Sequence, residues 1–258
     1  MATRALPILR VVALAYEDLW RVLRTMPTLI ACALLIVLAA QVLEEVFPLR
    51  VVYGAVSGHF LGIAIGAFQS FCLTPILIAM HRFIVLEEMP AGYAVDPTQP
   101  SFIAFFSWLI ALSLMSASVF AVPEVLTAFG ISAKGALGPM LMVAIVVTIV
   151  ILRLAILFPA IAAGARGATA AHALADSKGH VLSIFLIFLL TLLPMVALAV
   201  AVTLLLGRGA MVPGSTLDVI SLVLGGIIHT VVIILAVAVA SRLFQAIGER
   251  LRISGSAR

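Results

Sequence analysis

The stretch GAVSGHFLGIAIGAFQSFCLTPILIAMHR, Gly54 to Arg82, decides what kind of molecule this chain is. It is one apolar run closed by the pair His81-Arg82, and Gly54, Gly58, Gly62 and Gly66 recur in it at every fourth residue, with Ser70 and Thr74 continuing the row. In water each such glycine would cost a helix about 1 kcal/mol relative to alanine. In lipid, small residues instead let two helix backbones approach closely, because packing rather than hydrophobicity drives association there. The row therefore predicts a membrane helix packed along one face. The partner is open at this point, another helix of the chain being the expectation and a second copy the alternative.

The rest of the composition agrees with that reading. Hydrophobic residues make up 64% of the 258 and charged residues 10%; mean hydropathy is +1.31. Soluble domains carry about 45–50% apolar and about 25% charged residues, so the chain reads as an integral membrane protein. Short strands of alternating polarity do not recur, which leaves helices rather than a barrel. The net charge of +4 belongs to topology and lipid contact, not to nucleic acid. Cys32 and Cys72 lie in apolar runs and read as small buried hydrophobes.

Working outward, the fold class expected is all-α: six transmembrane helices arranged as three hairpins, preceded by an amphipathic interfacial helix. Residues 1–27 form the N-terminal amphipathic unit, 28–246 the six-helix bundle and 247–258 a basic tail. In the first unit Val12, Tyr16, Leu19, Trp20 and Leu23 share one helical face, and Arg10, Glu17, Asp18, Arg21 and Arg24 the other. Such a helix lies in the interface plane. No cleavable leader is expected before it, since the first long apolar run begins only at Thr28. The spans are Thr28–Leu43, Gly54–Ile78, Phe102–Val122 (ending before Pro123), Gly138–Phe158, Val181–Leu206 and Leu217–Ala240. Ser215 with Asp218 three residues on has the form of a capping box for the sixth.

Lys and Arg divide unequally between the two sides, 12 against three. That asymmetry predicts both termini in the cytoplasm. An internal repeat is faintly visible, since Pro75 precedes Arg82 and Pro159 precedes Arg166 by the same seven residues.

Arg153-Leu-Ala-Ile-Leu-Phe-Pro159-Ala, then Gly164 and Gly167, then Ala173-Leu-Ala-Asp-Ser177-Lys-Gly179-His180 precede a long apolar helix. This pattern resembles the six-helix membrane domain that precedes the catalytic domain in some glycerophosphoryl diester phosphodiesterases. The tryptophan that often follows the Ser is missing, the connecting segment is shortened and the catalytic domain is absent, so the resemblance, which is to a bacterial group, implies a fold of the bacterial inner membrane and no phosphodiesterase activity.

Familiar catalytic patterns are lacking, and no nucleophile stands at usable spacing from a base, so no enzyme activity, cofactor or metal site is expected. Adjacent pairs such as Glu44-Glu45 and Glu87-Glu88 point about 100° apart on a helix and make no ready metal site. Ionisable groups within a span are the functional candidates. Arg153 lies 13 residues before Arg166, and Pro159 is expected to end the straight span and leave Arg153 within snorkelling reach of headgroups. It either marks the inner boundary or holds a lipid phosphate or buried carboxylate. His229 lies well inside the sixth span beside Gly225 and Gly226, which would allow close approach of another helix. His81, Arg82 and Arg166 are candidates for anionic headgroups at the cytoplasmic face. Membrane lipids are the expected partners, with a homo-oligomer or larger membrane complex left open. Two functional readings follow: a non-enzymatic packing or lipid-homeostasis protein, and a small transporter with Arg153 and His229 lining a polar path.

Overall fold

The computed structural model describes residues 6–46, 54–90, 92–207 and 215–252, and leaves the side-chain surroundings of 46, 54–60 and 133 undescribed. All regular structure among the described residues is helical. The helices are α1 (Ile8–Thr25), α2 (Pro27–Val46), α3 (Gly54–Leu86), α4 (Pro100–Ala128), α5 (Ala133–Leu154), α6 (Leu157–Ala162), α7 (Ala170–Asp176), α8 (Val181–Leu206) and α9 (Thr216–Ile247). Six stretches are long and apolar enough to cross a membrane: α2, Leu61–Leu86 of α3, α4, α5 continued through α6, α8 and α9. The chain is a polytopic all-α membrane protein.

Prolines explain most of the boundaries. Pro27 lacks the N–H that would carry α1 onward, so Met26 breaks the helix and Pro27 opens α2. Pro100 opens α4 in the same way. Pro123 does not end α4, which runs on to Ala128 instead of stopping at Val122; neighbouring groups in a membrane helix tolerate the lost bond. Pro159 acts upstream rather than in place. Its ring removes the donor for the carbonyl of Ala155 and crowds it, so α5 stops at Leu154 and the short α6 starts anew at Leu157. Ser215 caps α9 by accepting from the Asp218 N–H at 3.1 Å, as the capping pattern predicts. Pro75 sits inside the unbroken α3 while Pro159 sits in the separate α6, so the two halves of the apparent repeat adopt different structures.

The three hairpins form as expected, α2 against α3, α4 against α5 and α8 against α9, and α9 is the hub, touching α1, α2, α3, α6 and α8. The buried side chains gather at the end of the bundle that carries α1, α6 and the C-terminal turn, called the base below. There every residue of α6 is buried, as are Ile76, Met80 and Ile84 of α3, Ile184 and Ile187 of α8, and Leu235, Val237 to Ser241, Leu243 and Phe244 along α9. Away from the base, Phe120, Leu141, Leu198 and Leu205 are exposed. The spans thus converge at the base and show apolar flanks to lipid elsewhere.

Two expectations are corrected here. Asp18, assigned to the polar face of α1, is buried with Val11, Ala15 and Val22, whereas Trp20 is exposed. The inward stripe is the i, i+4, i+7, i+11 set, and α1 lays it against α8 and α9. The C-terminal residues 248–252 are also part of the bundle rather than a free tail, because Leu251 is fully buried. Residues 253–258 lie outside the described residues.

Candidate functional site

The base is tied by polar contacts between elements far apart in sequence. Arg242 on α9 grips Asp18 on α1 with two bonds, Nε to Oδ2 at 2.6 Å and Nη2 to Oδ1 at 2.7 Å. Its Nη1 donates to Gln245 Oε1 at 2.9 Å, and Gln245 donates in turn to the Ile84 carbonyl at the end of α3. A bidentate guanidinium–carboxylate pair is among the stronger polar contacts, and here the Asp18 side chain has no solvent exposure. Tyr16 extends α1's grip by donating to the Thr191 carbonyl of α8 at 2.8 Å, and burial pushes its phenol pKa up.

The segment after α6 is held from three directions. Arg153 donates from Nε to Ser177 Oγ at 3.1 Å and from Nη2 to the Leu174 carbonyl. Arg82 donates to the Ala162 carbonyl at 3.1 Å and pairs with Glu88 at 2.8 Å. Asp176 accepts from the backbone N–H groups of Arg250 and Leu251 and so docks the C-terminal turn. Gly167 is required under that turn, since a Cβ there would stand 2.3 Å from the Arg250 carbonyl oxygen.

These contacts rearrange the candidates. Arg153 spends its donors on its own chain, on two acceptors that a boundary marker would not need. His81 is 2% exposed, 2.8 Å from Ser241 Oγ through Nδ1, and so cannot meet headgroups. Arg82 is half exposed but engaged, and Arg166 is exposed at the surface. His229 is exposed on the flank of α9, and no cavity described among these residues is lined by both it and Arg153. The expected close packing of the glycine row against another helix of the chain is not made at Gly62 and Gly66. A Cβ at either would meet nothing within 4 Å, and Ser70 is only half-buried. The surroundings of Gly54 and Gly58 lie outside the described residues. Close approach occurs instead at Gly226, where a Cβ would stand 2.4 Å from Leu38 Cδ2 of α2.

Above the base the helices line a cleft-like cavity of about 320 Å³ that is open rather than enclosed. Its walls come from α3, α4, α5, α8 and α9, and Phe158 of α6 contributes to its lining. Of its fourteen lining residues, His81 alone is polar. Phe105 and Phe158 meet edge to face there with centroids 4.9 Å apart. A second cavity of about 260 Å³ lies between α3 and the loop before α4, lined by Arg82, Glu88, Asp96 and Gln99 among others. Asp96 is internally satisfied, because donation from the Thr98 hydroxyl, and then from its N–H and from Gln99, holds its pKa below the usual carboxylate value. No group of three or more His, Cys, Asp or Glu among the described residues could hold a metal ion.

Sequence reasoning missed Asp18, Asp176, Ser241 and Arg242 as structural partners. Asp18 alone carried a signal, as an acid within the stripe Val11, Ala15, Val22. No family model, curated protein or solved structure matches the chain.

Proposed function

We propose that this chain is a non-enzymatic protein of the bacterial inner membrane whose bundle accommodates apolar membrane molecules, in a role in envelope lipid homeostasis. The observation that carries this reading is the cavity above α6. It is apolar on thirteen of fourteen lining residues, lies among the spans and is of the size of small-molecule sites. The polar contacts of the base supply a rigid support for it, and they are all spent within the protein. The transporter reading has no such support, because none of the cavities described among these residues is lined by Arg153 or His229. The 12-to-3 asymmetry of Lys and Arg supports a cytoplasmic base.

The test is retention of apolar material by protein purified in mild detergent, read by native mass spectrometry. Ala236→Trp puts an indole into the cavity, and Leu205→Trp, at an 84% exposed position on α8, is the control. Loss of co-purifying lipid in the first variant alone is expected. Equal retention in both at normal folded yield would refute the reading.

A further inference from the structure

His81 is the one polar group facing an otherwise apolar cavity, and its hydrogen bonding fixes what it offers there. Its Nδ1 lies 2.8 Å from Ser241 Oγ. Several hydroxyls within helices of this chain donate to the carbonyl four residues earlier, as Thr74 does to Ser70, Thr203 to Ala199 and Thr230 to Gly226, whereas the buried Thr191 hydroxyl finds no partner among the described residues. Ser241 makes no such bond, although it is fully buried, and His81 is its sole side-chain partner. Were Nδ1 to carry the ring proton, the Ser241 hydroxyl proton would be stranded in the interior, at the free-energy cost of an unmade hydrogen bond. The satisfied arrangement has Ser241 donating to Nδ1, which places the proton on Nε2. Among the described residues Nε2 has no partner, while His81 is 2% exposed and lines the cavity.

An N–H turned into apolar space needs an acceptor. Water serves poorly, since a buried water requires two to four polar partners and the cavity supplies His81 only. The aromatic edges add shape. Phe105 lies 5.8 Å from the His81 ring and 4.9 Å from Phe158, so a flat ring entering the cavity meets aromatic walls beside the donor. We infer that the cavity binds a lipophilic ring carbonyl compound, of the quinone type, whose carbonyl oxygen accepts from His81 Nε2–H. This rests on the cavity being ligand-bearing, as proposed above, and adds the ligand's chemistry and the residue that reads it.

The test uses two probes of the same shape, 2,3-dimethyl-1,4-naphthoquinone and 2,3-dimethylnaphthalene. Binding to the full chain in lipid nanodiscs is measured by equilibrium dialysis against empty nanodiscs. The quinone is expected to bind about tenfold more tightly than the hydrocarbon, the worth of one good hydrogen bond, and to shift one Nε2 resonance in ¹⁵N-histidine-labelled protein. In His81→Phe the preference should vanish while hydrocarbon binding persists. Equal binding of both probes to the unaltered protein, or quinone binding without a resonance shift, overturns the acceptor inference and leaves the cavity reading standing. Binding of neither probe overturns both. The comparison of probes and the resonance need no variant, so a misfolded His81→Phe does not blunt the test.

Discussion

At Asp18 a carboxylate stands where the pattern of α1 calls for an apolar side chain, and Arg242 makes that placement tolerable. Removing one partner of a buried ion pair leaves an uncompensated charge and typically costs about 3–5 kcal/mol, whereas replacing both by apolar residues is often neutral. Asp18→Ala should therefore lower the detergent unfolding midpoint sharply, and Asp18→Leu with Arg242→Met should recover most of the loss. Equal loss in the single and double variants would show that the pair is not what binds α1 to α9. Arg153 poses a related question. A snorkelling arginine could be exchanged for lysine, but here two different nitrogens reach Ser177 and Leu174. A lysine point charge reproduces one of those bonds, so Arg153→Lys should cost about 1 kcal/mol of stability without loss of bound lipid. Such partners were hidden in the sequence because they lie 224 and 24 residues apart, and charge counting assigns both arginines to a boundary.

For the helices, the apolar runs were legible and their faces were not. Six spans, three hairpins and the Ser215 cap follow from length, hydropathy and capping chemistry, all of which act locally. Which side of α3 packs depends on where α2, α4 and α9 lie, and no local rule states that. The glycine row illustrates the gap: spacing predicted a packed face, yet Gly62 looks into open space while Gly226 and Gly167, which have no such periodicity, are the tight positions. Gly62→Ala should leave stability unchanged or raise it by up to about 1 kcal/mol, as alanine favours helix over glycine. Gly167→Ala should lower it by about 1–3 kcal/mol, because backbone atoms of the C-terminal turn must move to admit a Cβ. Unfolding midpoints for the two variants that fall together would contradict these assignments.

The whole molecule is a bundle pinned at its base and open above it. Orientation is the coarsest claim at this scale: reporter fusions after Arg258 and within 207–213 should report opposite sides, with the C-terminal fusion cytoplasmic. The cavity could not have been read from the chain, since its wall residues come from six separate elements and are individually ordinary apolar side chains. Only His81 was conspicuous, and its place at the end of an apolar run suggested headgroups rather than the interior. The central claim is that α4 and α5 stand apart from α9 over α6 and leave room for an apolar guest. A structure determined in lipid nanodiscs, with a rigid binding protein as fiducial, tests this most directly. Non-protein density between Leu109, Leu112 and Ile233 that reaches His81 is the expected result. Contact of Leu109 and Leu112 with Ile233 and Val237, closing the space entirely, would contradict it.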